Sequence, residues 1–389
     1  MEYKLGELYD VSNGLSKGGE YFGNGDPFLS FSTVFNHFFI PDKIENLVES
    51  TEKEQNKYSI RRGDIFITRT SETIEELGMS CVALNDYPKA TFNGFCKRLR
   101  PKNQKVDPQY IGYYMRTPIF RANFLKVASL ITRASLRNED LLRFKVNLPN
   151  IEEQKRIASI LSNYDNLIEN NSKRIKLLEQ MAENLYKEWF VRFRFPGYED
   201  VEFDGTLPIG WQYQPISESM DFFDSQRVPL SSMQRDEMEK IYPYYGAAKL
   251  MDYVDNYLFD GEYLLLGEDG TVVTTDGFPV LQLVNDKFWV NNHAHVIRGK
   301  GNISTRFLYL TFCRFPISGV VTGSAQPKIS KGRLVKLKIL VPDAKIIELF
   351  NDLINPMFDE INVLKKQLIR ITEQRDLLLP RLMSGKLEV

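Results

Sequence analysis

The sequence contains one pattern twice, about 195 residues apart. Four pairs of segments match: GDIFITR from Gly63 with GEYLLLG from Gly261, FNGFCKRLR from Phe92 with VNNHAHVIR from Val290, QYIGYYM from Gln109 with RFLYLTF from Arg306, and RFKVNLP from Arg143 with VKLKILVP from Val335. The offset falls slowly from 198 to 193 residues, as loop insertions and deletions would produce. A repeat this long is a duplicated domain, because solenoid units span only about 20 to 50 residues.

Each half ends in a helical pattern that follows a proline, Pro149 or Pro342. Apolar residues then recur at spacings of three and four, which is a heptad seam. In the second half the seam is Phe350, Ile354, Met357, Ile361, Leu364, Leu368, Ile371, Leu378 and Leu382, interrupted by Arg375. In the first half it is Ile157, Ile160, Tyr164, Leu167, Leu178, Met181 and Leu185, interrupted by Asn171 and Arg174.

The order domain, helix, domain, helix means that the two seams run antiparallel if they pack on each other. The sequence therefore predicts an α+β fold with two duplicated domains, joined by two long antiparallel helices that form a coiled coil with pseudo-twofold symmetry. The predicted regions are residues 1–149 and 196–342 for the domains, and residues 150–195 and 343–389 for the helices.

Individual polar residues refine this prediction. Asn171 lies at a seam position, where a polar residue commonly fixes the helix register. Asn150 and Asp343 are placed to cap the two helix N-termini. Pro356 falls inside the second seam and predicts a kink or a late helix start.

A formal net charge of -1 conceals two basic stretches. From Lys97 to Lys145 there are twelve basic and three acidic residues, and from Arg298 to Lys338 there are nine basic residues and no acidic ones. The two stretches occupy equivalent positions in the repeat. This favours two surfaces that neutralise phosphates, although each stretch can also be a solvated face that acids from elsewhere in the fold balance.

Catalytic motifs are missing. The sequence has no GxxxxGK[ST] phosphate loop, no GxGxxG after a strand, no GxSxG elbow and no Asn-Pro-Pro-aromatic motif for methylation of base amino groups. The triplets Glu153-Gln154-Lys155 and Asp343-Ala344-Lys345 resemble parts of nuclease motifs, but both lie in the first turn of a predicted helix, where acids are favoured anyway.

Metal binding and membrane insertion are also poorly supported. His293 and His295 would share one strand face, as a metal pair does, but no cysteine lies nearby, so we expect them to face a ligand or water. The three cysteines form no CxxC pair and are expected to be core thiols. No run of eighteen apolar residues and no secretory signal is present, so the expected location is the cytoplasm.

Over its full length the chain resembles the specificity (S) subunit of type I restriction-modification systems. The segments that carry the resemblance are LPNIEEQKRIASILSNYDNLIENNSKRIKLLEQMAENLYKEWFVRF from Leu148, VPDAKIIELFNDLINPMFDEINVLKKQLIRITEQ from Val341 and the closing LLLPRLMSGKL. The resemblance implies a non-catalytic subunit that has two target-recognition domains, each recognising one half of a bipartite double-stranded DNA target.

The same resemblance implies the partners. The helices would act as a spacer, two methyltransferase subunits carrying S-adenosylmethionine would dock on them, and restriction subunits would join for cleavage. No cofactor of its own and no membrane partner are expected. Two alternatives stay open, which are a coiled-coil scaffold that binds only proteins and a nuclease or methyltransferase hidden in the variable domains.

Candidate DNA-binding residues come from loops with small, amide and basic side chains, which suit contacts to base edges and phosphates. SAQPKIS from Ser324 matches TRASLRN from Thr132 in position, and GEDGT from Gly267 lies opposite RTSE from Arg69. Ordinary turn chemistry is the alternative for these loops. The candidates are Arg69, Thr70, Lys97, Arg133, Ser135, Arg137, Asn138, Glu268, Asp269, Thr271, His293, His295, Ser324, Gln326, Lys328, Ser330 and Lys331. EWFVRFRFPGYE from Glu188 is either a stacking platform for bases or, as we favour, packing at the helix end.

Overall fold

A computed structural model describes residues 1–71, 76–127, 134–323 and 326–389 of the chain. The chain divides into two compact units, which are Met1–Asn170 with Leu368–Val389, and Asn171–Gln367. Both divisions fall inside long helices. Each unit therefore contains one globular domain and a portion of both helices.

The first half of the chain forms short strands and helices and ends in one long helix. Its strands are β1 (Glu2–Lys4), β2 (Tyr9–Asn13), β3 (Phe22–Leu29), β4 (Leu47–Val48), β5 (Ile65–Thr68), β6 (Thr70–Ser71), β7 (Ser80–Val82), β8 (Thr91–Phe92), β9 (Cys96–Pro101), β10 (Ala134–Ser135) and β11 (Lys145–Asn147). Its helices are α1 (Leu5–Leu8), α2 (Phe31–Asn36), α3 (Glu52–Lys57), α4 (Pro108–Tyr114), α5 (Pro118–Val127), α6 (Asn138–Arg143) and α7 (Ile151–Tyr186).

The second half has a similar order. Its strands are β12 (Phe203–Asp204), β13 (Leu207–Pro208), β14 (Gln212–Pro215), β15 (Met220–Phe222), β16 (Tyr242–Tyr245), β17 (Leu250–Val254), β18 (Phe259–Asp260), β19 (Tyr263–Gly267), β20 (Leu281–Val284), β21 (Lys287–Val290), β22 (Ala294–Gly299), β23 (Val321–Thr322), β24 (Lys328–Ile329) and β25 (Lys338–Val341). Its helices are α8 (Ile216–Ser219), α9 (Ser232–Asp236), α10 (Thr305–Phe312), α11 (Lys331–Leu334) and α12 (Ala344–Met383).

Each unit is built on a four-stranded antiparallel sheet. The strand order is β2-β9-β5-β7 in the first unit and β15-β22-β19-β20 in the second. The central strands pair Ile65 with Leu99 in one unit and Leu264 with Ile297 in the other. These strands come from the segments that align in the sequence. The prediction of an α+β fold with duplicated domains is confirmed.

The same glycine turn leads into both central strands. Gly63 has a φ of 89° before β5, and Gly261 has a φ of 118° before β19. Side chains disfavour this backbone conformation, so glycine is the residue that permits the turn. The turn glycine seen in both copies of the sequence pattern therefore has a direct structural cause.

Both long helices begin at the predicted caps. The Glu153 N–H donates to Asn150 Oδ1 over 3.0 Å, and the Lys345 N–H donates to Asp343 Oδ1 over 2.9 Å. The prediction of a late start at Pro356 is wrong, because α12 is continuous from Ala344. The helix is held on both sides of this proline by buried apolar side chains, which offset the one backbone hydrogen bond that proline cannot make.

The two long helices contact each other within each unit. In the first unit Arg375 Nη1 lies 2.8 Å from Asp165 Oδ1, and Leu382 joins the apolar core that contains Ile157. In the second unit Arg174 pairs with Glu360, and the rings of Tyr186 and Phe350 lie 6.1 Å apart. Higher residue numbers on α7 meet lower numbers on α12 in both units, so the predicted antiparallel arrangement is confirmed. The ion pair explains why an arginine interrupts the seam.

The aromatic segment after α7 belongs to the core of the second unit. Trp189, Phe190 and Phe195 are buried, and the ring of Phe190 also contacts Phe307 at 5.2 Å. The packing interpretation is therefore confirmed in preference to a stacking platform for bases. Across the described ranges, none of the helices combines the length and the apolar content that a membrane span needs.

Candidate nucleic-acid interface

Three loops come together at one end of the sheet in the first unit. We name them the strand-end loop (residues 69–71), the tip turn (residues 93–95) and the helix-entry loop (residues 134–138). The Arg69 N–H donates to the Phe95 carbonyl over 2.9 Å, and the Arg69 carbonyl accepts from the Leu136 N–H over 3.1 Å. One residue of the strand-end loop therefore joins the other two loops through its backbone.

The second unit repeats this arrangement. Its strand-end loop is residues 267–271, its tip turn is residues 291–293, and its helix-entry loop is residues 326–331. The Glu268 N–H donates to the His293 carbonyl over 2.8 Å, and the Glu268 carbonyl accepts from the Ile329 N–H over 2.8 Å. We call the set of loops in each unit its three-loop surface.

The tip turn is shaped in the same way in both units. The Phe95 N–H donates to Asn93 Oδ1 over 2.7 Å, and the His293 N–H donates to Asn291 Oδ1 over 2.9 Å. In the first unit Gly14 passes so close to the turn that a Cβ there would lie 2.1 Å from the Asn93 carbonyl oxygen. Phe95 and His293 are both exposed at equivalent positions.

Several predicted residues lie on these surfaces with accessible side chains. In the first unit Arg137 and Asn138 are exposed, whereas Arg69 and Thr70 are half-buried. In the second unit the exposed candidates are Thr271, His293, Gln326, Lys328 and Lys331, and the half-buried ones are Glu268, Asp269 and Ser330. Arg133 and Ser324 lie outside the described residues, and Ser135 is described through its backbone, which pairs with Thr70. A role in DNA binding stays a prediction for all of them.

Lys97 lies beneath the surface of the first unit, at 5% exposure. Its ammonium group donates to Asn13 Oδ1 over 3.1 Å and also to Asn138 Oδ1. Burial, together with the nearby charge of Arg69, lowers the pKa of Lys97 below its ordinary value. This position suits support of the helix-entry loop better than direct contact with DNA.

His295 lies in the corresponding place in the second unit, at 1% exposure. Its Nε2 atom lies 2.8 Å from the Ile329 carbonyl oxygen, and its Nδ1 atom lies 2.7 Å from Asp224 Oδ2. His293 precedes β22 and points to solvent. The expectation that the two histidines share one strand face is therefore wrong, because the tip turn ends between them.

Charged groups surround His295. Burial acts to raise the pKa of Asp224, but the hydrogen bond and charge of His295 outweigh it, so that the pKa is lowered. Glu268 accepts from Arg227 Nη1 over 2.7 Å, and the same atom donates to the Ala294 carbonyl over 2.7 Å.

Ligand atoms of Asp224, Glu268 and His295 lie within 4.8 Å of one another, which is close enough to surround a cation. Both His295 ring nitrogens already face protein acceptors, and the Arg227 guanidinium supplies positive charge to Glu268. Among the described residues, the group is therefore an ion-pair network that joins the strand-end loop to its neighbours.

The basic stretches are less exposed than their composition suggests. Arg100 pairs with the buried Asp64 at 2.6 Å, and Arg116 donates to four backbone carbonyls. In the second unit Arg306 pairs with Glu262 at 2.9 Å and with Asp359 at 2.6 Å. The prediction that the two basic stretches form phosphate-neutralising surfaces is thus too broad, because these arginines satisfy internal acceptors.

Sequence reasoning missed four residues of this region, namely Asn13, Phe95, Asp224 and Arg227. A signal for Phe95 was present, since NGF and NNH align at an offset of 198 and both begin with the asparagine of the tip turn. The other three lie far along the chain from the loops that they support. No spacing pattern in one sequence links them.

Comparisons with known proteins place this architecture. The type I restriction enzyme MjaIX specificity subunit of Methanocaldococcus jannaschii is 26% identical, over 99% of this chain and 92% of the relative. The putative type I restriction enzyme MjaX specificity subunit of the same organism is 23% identical, over 100% of this chain and 94% of the relative. The crystal structure of the type I restriction-modification S subunit from M. genitalium has a similar fold, with a TM-score of 0.64 at 14% identity, covering 98% of this chain and 95% of that chain.

The family model for the type I restriction modification DNA specificity domain matches residues 1–180 and again residues 208–370. These two matches contain the two halves of the internal repeat and cover most of the chain. The chain therefore belongs to the type I restriction modification DNA specificity domain family.

Proposed function

We propose that this chain recognises a bipartite DNA sequence, and that each three-loop surface binds one half of the target. The observation that carries the proposal is the recurrence of one backbone frame with different side chains. Arg69 and Glu268 occupy the same place in the frame and carry opposite charges. Two half-sites with different bases would require such a difference.

The exposed side chains suit this role. Gln326 can bond an adenine edge, and the guanidinium of Arg137 can bond a guanine edge, because each presents paired hydrogen-bonding atoms. Lys328 and Lys331 supply positive charge for phosphates beside them. The backbone hydrogen bonds between the loops hold the Cα atoms from which these side chains project.

We further propose that the chain performs no chemistry itself. Methyl transfer with S-adenosylmethionine and DNA cleavage would belong to methyltransferase and restriction subunits, with α7 and α12 as their docking site and as the spacer between half-sites. The lack of catalytic motifs in the sequence supports this division. The isolated chain should not transfer a labelled methyl group to DNA, whereas addition of the methyltransferase subunits should restore transfer.

Selection from a random pool of double-stranded DNA tests the bipartite target. The full chain, alone and with methyltransferase subunits, should enrich two short sequences separated by a gap of fixed length and free composition. Changing Gln326 or Lys328 to Ala should weaken the base preference within one of these sequences and leave the preference within the other unchanged. A single contiguous target, or equal damage to both halves, contradicts the proposal.

A salt titration separates DNA recognition from the scaffold alternative. Contacts to several phosphates make affinity fall steeply as salt rises, because bound counterions are released. The selected DNA should therefore lose affinity strongly between low and moderate salt. A scaffold that binds only proteins would enrich no sequence and show no such dependence.

The spacer role has its own test. Removal of one heptad from each of α7 and α12 shortens the helical pair by about 10 Å, which corresponds to about three base pairs of DNA. The preferred gap should change while the half-site sequences persist. Altered half-site bases would contradict the spacer role.

A further inference from the structure

A buried basic side chain, Lys97 or His295, lies beneath the helix-entry loop in each unit, and it comes from the same strand position each time. We propose that Lys97 and His295 are positioning residues that hold the two helix-entry loops in the orientation used for DNA recognition, and that the His295 contact makes one half-site sensitive to pH. This inference rests on the proposed function.

Register establishes the equivalence. Lys97 pairs with Ile67 in the first unit, and His295 pairs with Leu266 in the second. Both pairs lie at the end of the central strand that leads into the strand-end loop. The two basic side chains therefore approach their loops from the same direction.

Their partners are equivalent as well. Lys97 contacts Asn13 at the end of the edge strand β2, and His295 contacts Asp224, which follows the edge strand β15. Each also binds the helix-entry loop, at Asn138 Oδ1 in one unit and at the Ile329 carbonyl in the other. Lys97 and His295 thus connect the edge of the sheet to the helix-entry loop.

The contacts of His295 suit a ring that carries both protons. A backbone carbonyl only accepts hydrogen bonds, so Nε2 must donate to Ile329. Nδ1 lies 2.7 Å from Oδ2 of Asp224, a carboxyl group that ordinarily ionises well below neutral pH. An imidazolium satisfies both acceptors, whereas a neutral ring leaves a lone pair facing an oxygen.

Other charged groups face this pair from the neighbouring elements. Glu268 Oε2 in the strand-end loop lies 3.6 Å from His295 Nδ1, and Arg227 Nη2 lies 3.9 Å from Asp224 Oδ2. Lys328 Nζ of the helix-entry loop lies 3.8 Å from Glu268 Oε1. Charged groups of both signs therefore lie around His295.

The two units should respond differently to pH. Histidine is the side chain that ordinarily changes charge near neutral pH, whereas lysine ordinarily does so near pH 10. Burial lowers the pKa of Lys97, but from a starting value several pH units above that of histidine. As pH rises, the one ring proton that His295 keeps is held on Nδ1 by the Asp224 carboxylate. Nε2 then presents a lone pair to the Ile329 carbonyl, and the helix-entry loop of the second unit is released. Lys97 keeps both of its contacts over the same interval.

The experiment uses the full chain and a random pool of double-stranded DNA, at about pH 6 and about pH 8 and at constant salt. The enriched DNA is then remade with either half scrambled, and affinity is measured for each. The preference for one half-site should fall about tenfold at the higher pH, while the preference for the other is unchanged. Lys97→Met should weaken the preference for the half-site that is insensitive to pH, and it should do so at both pH values.

Variants separate positioning from other causes. His295→Gln keeps a side-chain donor but no titratable proton, so it should bind equally at both pH values, at the level of the unchanged protein at the higher pH. His293→Gln removes the exposed histidine of the same surface and should keep the pH dependence. His37→Gln and Lys53→Met serve as matched controls on exposed residues of the first unit.

The outcomes are distinct. Equal pH effects on both half-sites, no pH effect on either, or loss of the effect in His293→Gln would each overturn the inference while leaving sequence recognition intact. A His295→Gln variant that folds and keeps the pH dependence would overturn it too. If no sequence is enriched at either pH, the proposed function fails, and this inference fails with it.

Discussion

The side-chain amide of Asn171 on α7 donates to Oε1 of Gln367 on α12 over 3.1 Å. Asn171 is buried, whereas Gln367 is exposed, so the bond reaches from the apolar seam to its edge. A buried asparagine at a seam position favours one register at a cost in stability. In the second unit Asn171 therefore lowers the stability of the seam somewhat and favours one alignment of the two helices.

We expect Asn171→Leu to raise the free energy of unfolding of the second unit by about 1 kcal/mol, because an apolar side chain replaces a buried amide. Gln367 can be hydrated when its partner is lost. Urea denaturation with hydrogen exchange of the α7 amides measures the change. Asn170→Leu on the exposed face is the control and should change stability by less than about 0.5 kcal/mol. A loss of stability in Asn171→Leu would contradict the prediction.

Arg100→Met should destabilise the first unit by about 3 to 5 kcal/mol, since it leaves the carboxylate of Asp64 buried without its cation. The Asp64 side chain is 0% exposed, and it also accepts from the Arg61 N–H over 2.8 Å. The control is Lys102→Met, which breaks an exposed pair with Asp10 and should cost less than about 1 kcal/mol. Thermal unfolding of both variants makes the comparison, and equal losses would refute the assigned role.

Phe95→Ala should weaken the selection of one half-site by about tenfold without loss of stability. The side chain is 59% exposed on the tip turn, so it packs little within the protein and is placed to contact a thymine methyl group or a base step. Ile119→Ala on α5 removes a side chain of similar exposure, 58%, away from the three loops. Equal effects of the two substitutions on DNA selection would show that Phe95 has no special role.

Glu54 gives the first unit a defined response to acid. The hydrogen bond from Lys17, followed by that from the Thr51 N–H, lowers the pKa of Glu54 from 4.5 to about 2. A lowered pKa in the folded state means that this contribution to stability is present above about pH 4.5 and is lost as the pH falls toward 2. NMR titration of the Glu54 carboxyl should show a midpoint near pH 2.

Glu54→Gln should make the stability of the first unit less dependent on pH in that interval, whereas Glu52→Gln in the same helix should leave the dependence in place. The two glutamates lie in the first turn of α3, so they experience the same helix dipole. A Glu54 midpoint near 4.5 would mean that the contacts with Lys17 and Thr51 do not persist in solution.

The sequence was sufficient for the features that depend on local or periodic signals. The repeat located the sheets because Gly63 and Gly261 introduce equivalent buried strands, and the heptad spacing located α7 and α12. The polar residues at seam positions were also informative, since Asn171 and Arg375 both found partners on the facing helix.

Features that depend on distant partners were not predictable. The sequence places Lys97 and His295 among the surface candidates because their partners are distant in the chain. Asn13 lies 84 residues from Lys97, and Asp224 lies 71 residues from His295, so neither gives a local sign of the contact. Arg116 belongs to a basic stretch, yet its guanidinium donates hydrogen bonds to the backbone carbonyls of Val34 and Ser80. Burial of a charge depends on the tertiary fold, and composition alone does not reveal it.

The strand-end and helix-entry loops are joined by main-chain atoms in both units, as the contacts of Arg69 and Glu268 demonstrate. Such bonds do not depend on which side chain projects outward. Point changes in the outward positions can therefore accumulate through descent while the frame continues to fold. Under the proposed function, a lineage of such proteins can change the bases that it prefers one position at a time, without passing through an unfolded intermediate.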